Sequence, residues 1–182
     1  MLFRSLKGND PALVVECLNG YRKKEKMPSN LSEMVVPIGV AEVVKVGSDI
    51  TVVSYGSTLH LCLNAADELA NLGISVEVVD AQTLLPFDTT GVSASSVQKT
   101  NRLVVVDEDV EGGASAYLLD QIINKQGAFN YLDAQPITVT SKPHLPAYST
   151  DGDYFSKPSV DDIVEAVYAV MSEGNPSRFP KI

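Results

Sequence analysis

Four acids within five positions, Asp107, Glu108, Asp109 and Glu111, close an apolar run just before Gly112-Gly113. Carboxylates so spaced can coordinate Mg²⁺ or face a basic partner. Placed before a helix, they can also serve only its dipole as a solvated loop. Tyr55-Gly56-Ser57-Thr58 leads from one apolar segment into the start of an amphipathic one. Amides and the dipole at such a start can hold an anion, and a plain turn and cap uses the same residues. Thr140-Ser141-Lys142-Pro143-His144 follows the last strand-like segment, and His144 is a candidate acid or base near neutral pH. His60, the other histidine, falls beside apolar helix positions and is expected to line the sheet rather than react. The sequence contains no nucleophile elbow and no glycine-rich phosphate loop. Cys17 and Cys62 have neither Cys-x-x-Cys nor metal spacing and read as buried, reduced thiols. No catalytic, cofactor-binding or metal-binding residue is therefore assigned. Three uses stay open: an assembly scaffold, a free-standing anion- or nucleotide-binding module, and an enzyme using His144 with the acidic loop. A receiver-type phospho-acceptor domain fits poorly, because only one strand follows Asp109.

Those segments need elements to position them. Val40–Val46 and Ile50–Tyr55 read as strands joined at Gly47-Ser48-Asp49, a hairpin-like turn that makes the pair antiparallel. Leu59, Cys62, Leu63, Ala66 and Leu69 recur three and four apart, predicting a helix capped by Ser57 or Thr58 and ended by Gly73. Ser75–Val79 and Arg102–Val106 are the next strands, with an Asp88-capped helix to about Lys99 between them. A helix from Gly112-Gly113 runs to Lys125 and Gly127 stops it. Pro136–Thr140 is the last strand. Ser159 and Asp162 form a capping box for a final helix to about Ser172. Strands alternating with crossover helices predict a three-layer α/β/α sandwich, its five-stranded mixed sheet mostly parallel with one antiparallel strand.

The first 34 residues differ. Leu2–Leu6 can be the last turns of a helix, and Ala12–Cys17 has the pattern of a buried strand. The polar stretch Tyr21–Asn30, with Arg22, Lys23, Lys24 and Lys26, reads as a linker. Residues 1–34 are thus the expected tail of another domain, and residues 35–182 the main one. The net charge of −9 argues against a nucleic-acid partner and favours a basic protein surface. No apolar run nears the roughly 20 residues that span a bilayer, and the start lacks a signal-peptide core. A cytoplasmic chain without membrane contact is expected.

Three stretches in order, VPIGVAEVVKVGSDITVVSYGS (36–57), GISVEVVDAQTLLPFD (73–88) and KTNRLVVVDED (99–109), resemble the transketolase C-terminal domain family. The final KPSVDDIVEAV (157–167) resembles that domain's last helix. The subfamily is the beta-type subunit of the first component of pyruvate and branched-chain 2-oxoisovalerate dehydrogenase complexes. DPALVVEC with Tyr21-Arg22 resembles the exit of the upstream pyrimidine-binding domain. The resemblance implies a non-catalytic assembly domain. Thiamine diphosphate and Mg²⁺ belong to the parent oxidoreductase, which decarboxylates a 2-oxoacid and passes the acyl group to a lipoyl arm. Its Gly-Asp-Gly…Asn-Asn motif and catalytic histidine do not occur here. Implied partners are a second copy, an alpha-type subunit or domain, and the basic subunit-binding domain of the lipoyl acyltransferase. The resemblance puts Asp133 and the C-terminal helix on the docking face, and the acidic loop adds Asp107, Glu108 and Asp109. Two positions depart from the family: Asp107 where His is frequent, and Gln82 where Arg is common. The Gly174–Ile182 tail extends past the usual last helix.

Overall fold

The computed structural model describes residues 2–22, 24, 26–27, 29–30, 36–149 and 151–181. A short helix α1 (Leu2–Lys7) and a 3₁₀ turn (Leu18–Arg22) precede the main body. The expected strand at Ala12–Cys17 does not form: residues 11–17 are irregular, with Leu13 92% and Val15 83% exposed. An apolar segment makes no ladder without a neighbouring edge, and no described strand pairs with it. The expected boundary between residues 34 and 35 lies outside the described residues.

The body is β1 (Glu42–Lys45), β2 (Ile50–Ser54), α2 (Thr58–Asn71), β3 (Val76–Asp80), α3 (Val92–Thr100) and β4 (Leu103–Val110). Then come α4 (Ala114–Asp120) with a π-helical turn to Lys125, β5 (Ile137–Ser141), α5 (Gly152–Ser156) and α6 (Val160–Gly174). The sheet order is β1-β3-β2-β4-β5, with β1 antiparallel and the others parallel. The predicted mixed five-stranded sheet is present, but its opening pair is not a hairpin. β1 pairs with β3 rather than β2, and the chain from β1 to β2 crosses the start of β3. There Ser48 and Asp49 donate their amides to the Ser75 carbonyl. Gly47 permits the crossing, because a Cβ on it would stand 2.1 Å from the Val76 carbonyl carbon.

Side-chain alternation splits the sheet into two dry faces. Val52, Val78, Val104 and Val106 pack beneath α2 and α6, against Leu69, Ile163 and Val167. Val53, Val79, Leu103 and Val105 pack on the other face, against Val97 of α3, Leu118 of α4 and Ile122 of the π-helical turn. The parallel registers keep like faces together, with Val52 opposite both Val78 and Val104. α6 starts on the predicted capping box, Ser159 accepting from the Asp162 amide and Asp162 from the Ser159 amide. Asp88 holds the start of α3 by accepting from the Val92 and Ser93 amides. After α6 the tail folds back, burying Phe179 in the α2–α6 face.

Candidate functional site

The parallel strands change winding direction between β2 and β4, where open α/β sheets usually leave a ligand crevice at the carboxyl ends. Here the two strand exits bond to each other. Tyr55 donates its hydroxyl to Asp107 Oδ1 at 2.6 Å. Asp107 Oδ2 accepts the Ser115 amide at 2.7 Å, and Oδ1 also accepts the Asp109 amide at 3.0 Å. Asp107 is fully buried. Burial, then the Asp107 carboxylate, raises the Tyr55 phenol far above its usual value, so it stays a hydrogen-bond donor.

Beside this pair, Ser57 donates to Glu108 at the start of α2. Lys157, just after α5, reaches the same carboxylate with Nζ 2.7 Å from Oε1. Burial alone would raise Glu108, but hydrogen bonds from Lys157 and Ser57 outweigh it and hold the group below the ordinary carboxylate range. The expected side-chain cap of α2 is not made, because the Ser57 hydroxyl serves Glu108 and Thr58 donates to the Tyr55 carbonyl. A fixed internal carboxylate thus stands where a bound anion would need the helix start.

The four docking candidates do not form one patch. Asp107 faces inward and organises the loop, so it offers no surface charge. Glu108 is half-buried and Asp109 exposed at the carboxyl end of β4. Asp133 is at the other end, where its amide bonds the Asn101 carbonyl and Oδ2 lies 2.6 Å from Arg102 Nη2. His60 is exposed on α2 rather than against the sheet. His144 is exposed too, its ring 5.6 Å from that of Phe155. Cys62 is buried as expected, whereas Cys17 is half-buried. Among the described residues, no three His, Cys, Asp or Glu side chains converge as a metal site.

Sequence reasoning missed the cations that answer these acids. Lys157 was visible only as the lysine before Pro158 and the last capping box. Arg102 was read only as a strand start. Glu77, inside the apolar stretch of β3, was the clearest signal overlooked: a lone acid there needs a partner, and Lys99 supplies it. Gln82, at one departing position, adopts φ +56° and donates to Glu42 at 2.8 Å.

Residues 39–163 match the family model "Transketolase, C-terminal domain". The chain is 33% identical over 171 residues to the pyruvate dehydrogenase E1 component subunit beta of Rhizobium meliloti, covering 93% of this chain and 36% of that one. It is 36% identical over 148 residues to the 2-oxoisovalerate dehydrogenase subunit beta of Bacillus subtilis, covering 81% and 44%. The acetoin:2,6-dichlorophenolindophenol oxidoreductase subunit beta of Cupriavidus necator is 34% identical over 180 residues, covering 96% and 50%. The chain therefore spans between a third and a half of these curated relatives. A solved structure of a split-gene transketolase, an inactive beta4 tetramer, superimposes with a TM-score of 0.66 at 23% identity, covering 78% of this chain and 45% of that one. The mixed sheet, its two helical layers and the match over residues 39–163 agree: this chain belongs to the transketolase C-terminal domain family.

Proposed function

We propose that this chain is the non-catalytic assembly and docking domain of a beta-type subunit of a thiamine-diphosphate-dependent 2-oxoacid dehydrogenase. The parent oxidoreductase decarboxylates a 2-oxoacid of the pyruvate or 2-oxoisovalerate kind and transfers the acyl group to a lipoyl arm. The observation that carries the reading is the self-closed switch point, where Tyr55–Asp107 and Ser57–Glu108–Lys157 fill the crevice that a ligand would use. These residues do not fit thiamine diphosphate with Mg²⁺. The Glu108 carboxylate would repel a diphosphate at the start of α2, and the Asp107 oxygens are already engaged by Tyr55 and two amides. The coenzyme and its metal then belong to the rest of the parent enzyme.

In this reading residues 1–34 are the tail of the preceding pyrimidine-binding domain, and the exposed Leu13 and Val15 belong against that domain's sheet. The domain self-associates, meets an alpha-type subunit, and receives the basic subunit-binding domain of the lipoyl acyltransferase in the cytoplasm. Asp133, Glu108 and Asp109 remain the candidate contacts. Asp133 needs its partner to compete with Arg102, and Asp107 acts only by shaping the loop.

The test is calorimetric titration of the 182-residue chain with a lipoyl acyltransferase subunit-binding domain across a salt series. Binding that weakens steeply with salt is expected, and binding indifferent to salt, or none, refutes the docking role. In parallel, thiamine diphosphate with Mg²⁺ should leave the melting temperature unchanged. A stabilisation of about 2–4 kcal/mol at saturating coenzyme would refute the assignment of the cofactor site elsewhere.

A further inference from the structure

We infer that the groove between α5 and the first turns of α6 is an anchoring site for a lysine or arginine side chain of a partner polypeptide. It encloses about 470 Å³. Tyr154 and Phe155 line it from α5, 62% and 56% exposed. Asp161 and Glu165 line it from α6. An aromatic face beside carboxylates selects a cation, since the negative face of the ring and the acid attract the same charge. The chain already displays this preference, for Lys142 Nζ lies 3.9 Å from the Phe155 ring centroid. Lys142 is exposed, so a better placed cation can displace it.

Ordinary helix stability accounts for only part of this arrangement. Asp162 is used in the capping box, and Asp161 takes the Tyr154 hydroxyl and favours the helix dipole. Glu165 stands a turn further on, where the dipole contributes little, and among the described residues it has no ion-pair partner. Beyond the Tyr154 bond to Asp161 and the contacts of Phe155 with Lys142 and His144, more than half of each aromatic residue stays open to water beside these acids. With a net charge of −9, the complementary partner is a basic one. The groove lies near the carboxyl end of β5, whereas Asp133 precedes that strand. The inference rests on reading the chain as a docking domain, though not on which complex it joins.

The test uses the 182-residue chain and a fluorescein-labelled peptide of alternating lysine and alanine, with a glutamate–alanine peptide as control, followed by fluorescence anisotropy. The lysine peptide should bind and the control should not. The double variant Asp161→Asn/Glu165→Gln should weaken binding roughly five-fold. Phe155→Leu should weaken it roughly two- to five-fold, and Lys142→Met should strengthen it by a similar factor. Asp133→Asn should leave it unchanged. Should Phe155→Leu unfold, Lys142→Met decides, because it alters one exposed side chain. No lysine-peptide binding, equal binding of the control, or equal loss in Asp133→Asn and the double variant overturns the proposal. So does self-association that the double variant abolishes, since a second copy would then fill the groove. Peptide binding without binding of the subunit-binding domain would keep the groove and refute the complex assigned above.

Discussion

Replacing Phe179 with alanine asks whether the C-terminal tail is part of the folded core. The ring is 5% exposed and packs with the α2 and α6 residues of one sheet face. It meets the Tyr168 ring edge-on, 6.2 Å between centroids and at 83°. Arg178 stacks on it with its guanidinium carbon 4.9 Å from the centroid, and the same side chain donates to the Gly73 carbonyl at 2.8 Å. Truncation to Cβ forfeits about 2 kcal/mol of apolar burial and about 1 kcal/mol of aromatic pairing. The site lies at the edge of the cluster and can partly close, so the loss stays at the low end for a buried phenylalanine, about 3 kcal/mol. For a domain of this size that lowers the melting temperature by roughly 6–12 °C. Scanning calorimetry at neutral pH, with urea unfolding as a second probe, measures it. Phe179→Leu should recover most of the burial and show a smaller drop. A Phe179→Ala shift under about 1 °C would mean that the tail lies on the domain without stabilising it.

Other consequences follow from the buried polar groups and the chain crossing. Burial would raise Glu77, but Lys99, Ser96 and the Gly47 amide together hold it below its ordinary 4.5. Its stabilising contribution is therefore present above 4.5 and is lost as pH falls through the lower folded value. Lys99→Met should cost about 1–3 kcal/mol and move the acid unfolding transition to higher pH, as read by circular dichroism; an unmoved transition counts against the pairing. Burial pushes the Cys62 thiol up to about 12. An aromatic disulfide reagent near pH 8 should thus label only Cys17 in the folded protein and both cysteines after denaturation, and rapid labelling of two would contradict the fold. Gly47→Ala sets a Cβ 2.1 Å from the Val76 carbonyl carbon and 2.2 Å from the Glu77 nitrogen. A loss of about 3 kcal/mol or more in urea unfolding is expected, and a neutral result would place the β1–β2 crossing elsewhere.

Local chemistry made much of this protein readable. The three- and four-residue spacing of Leu59, Cys62, Ala66 and Leu69 marked α2, and Ser159 with Asp162 marked the start of α6. The continuous apolar run Leu103–Val106 located β4, because a strand covered on both faces has no polar side to show. Short valine-rich segments between turn signals located β2 and β3 despite the polar Thr51 and Glu77 inside them. The candidate site was readable in part. Tyr55, Ser57, Asp107 and Glu108 stand out in the sequence, yet the Tyr55–Asp107, Ser57–Glu108 and Lys157–Glu108 bonds join residues 49 to 52 positions apart.

The main helices, the strands of the sheet and the cap of α6 could be read from the chain alone, because helix periodicity, turn residues and a capping box are set by neighbours within a few residues. The expected strand at Ala12–Cys17 and the expected side-chain cap of α2, by contrast, do not form. Three features needed the tertiary structure. β1 skips its sequence neighbour for β3, because one close-fitting glycine lets the chain cross a strand start. Asp107 turns inward while Asp109 faces water, because Tyr55 and the start of α4 converge on the first carboxylate. The apolar Ala12–Cys17 stays unpaired while the proline-bearing tail buries Phe179, because burial follows whichever surface lies within reach rather than hydrophobicity alone.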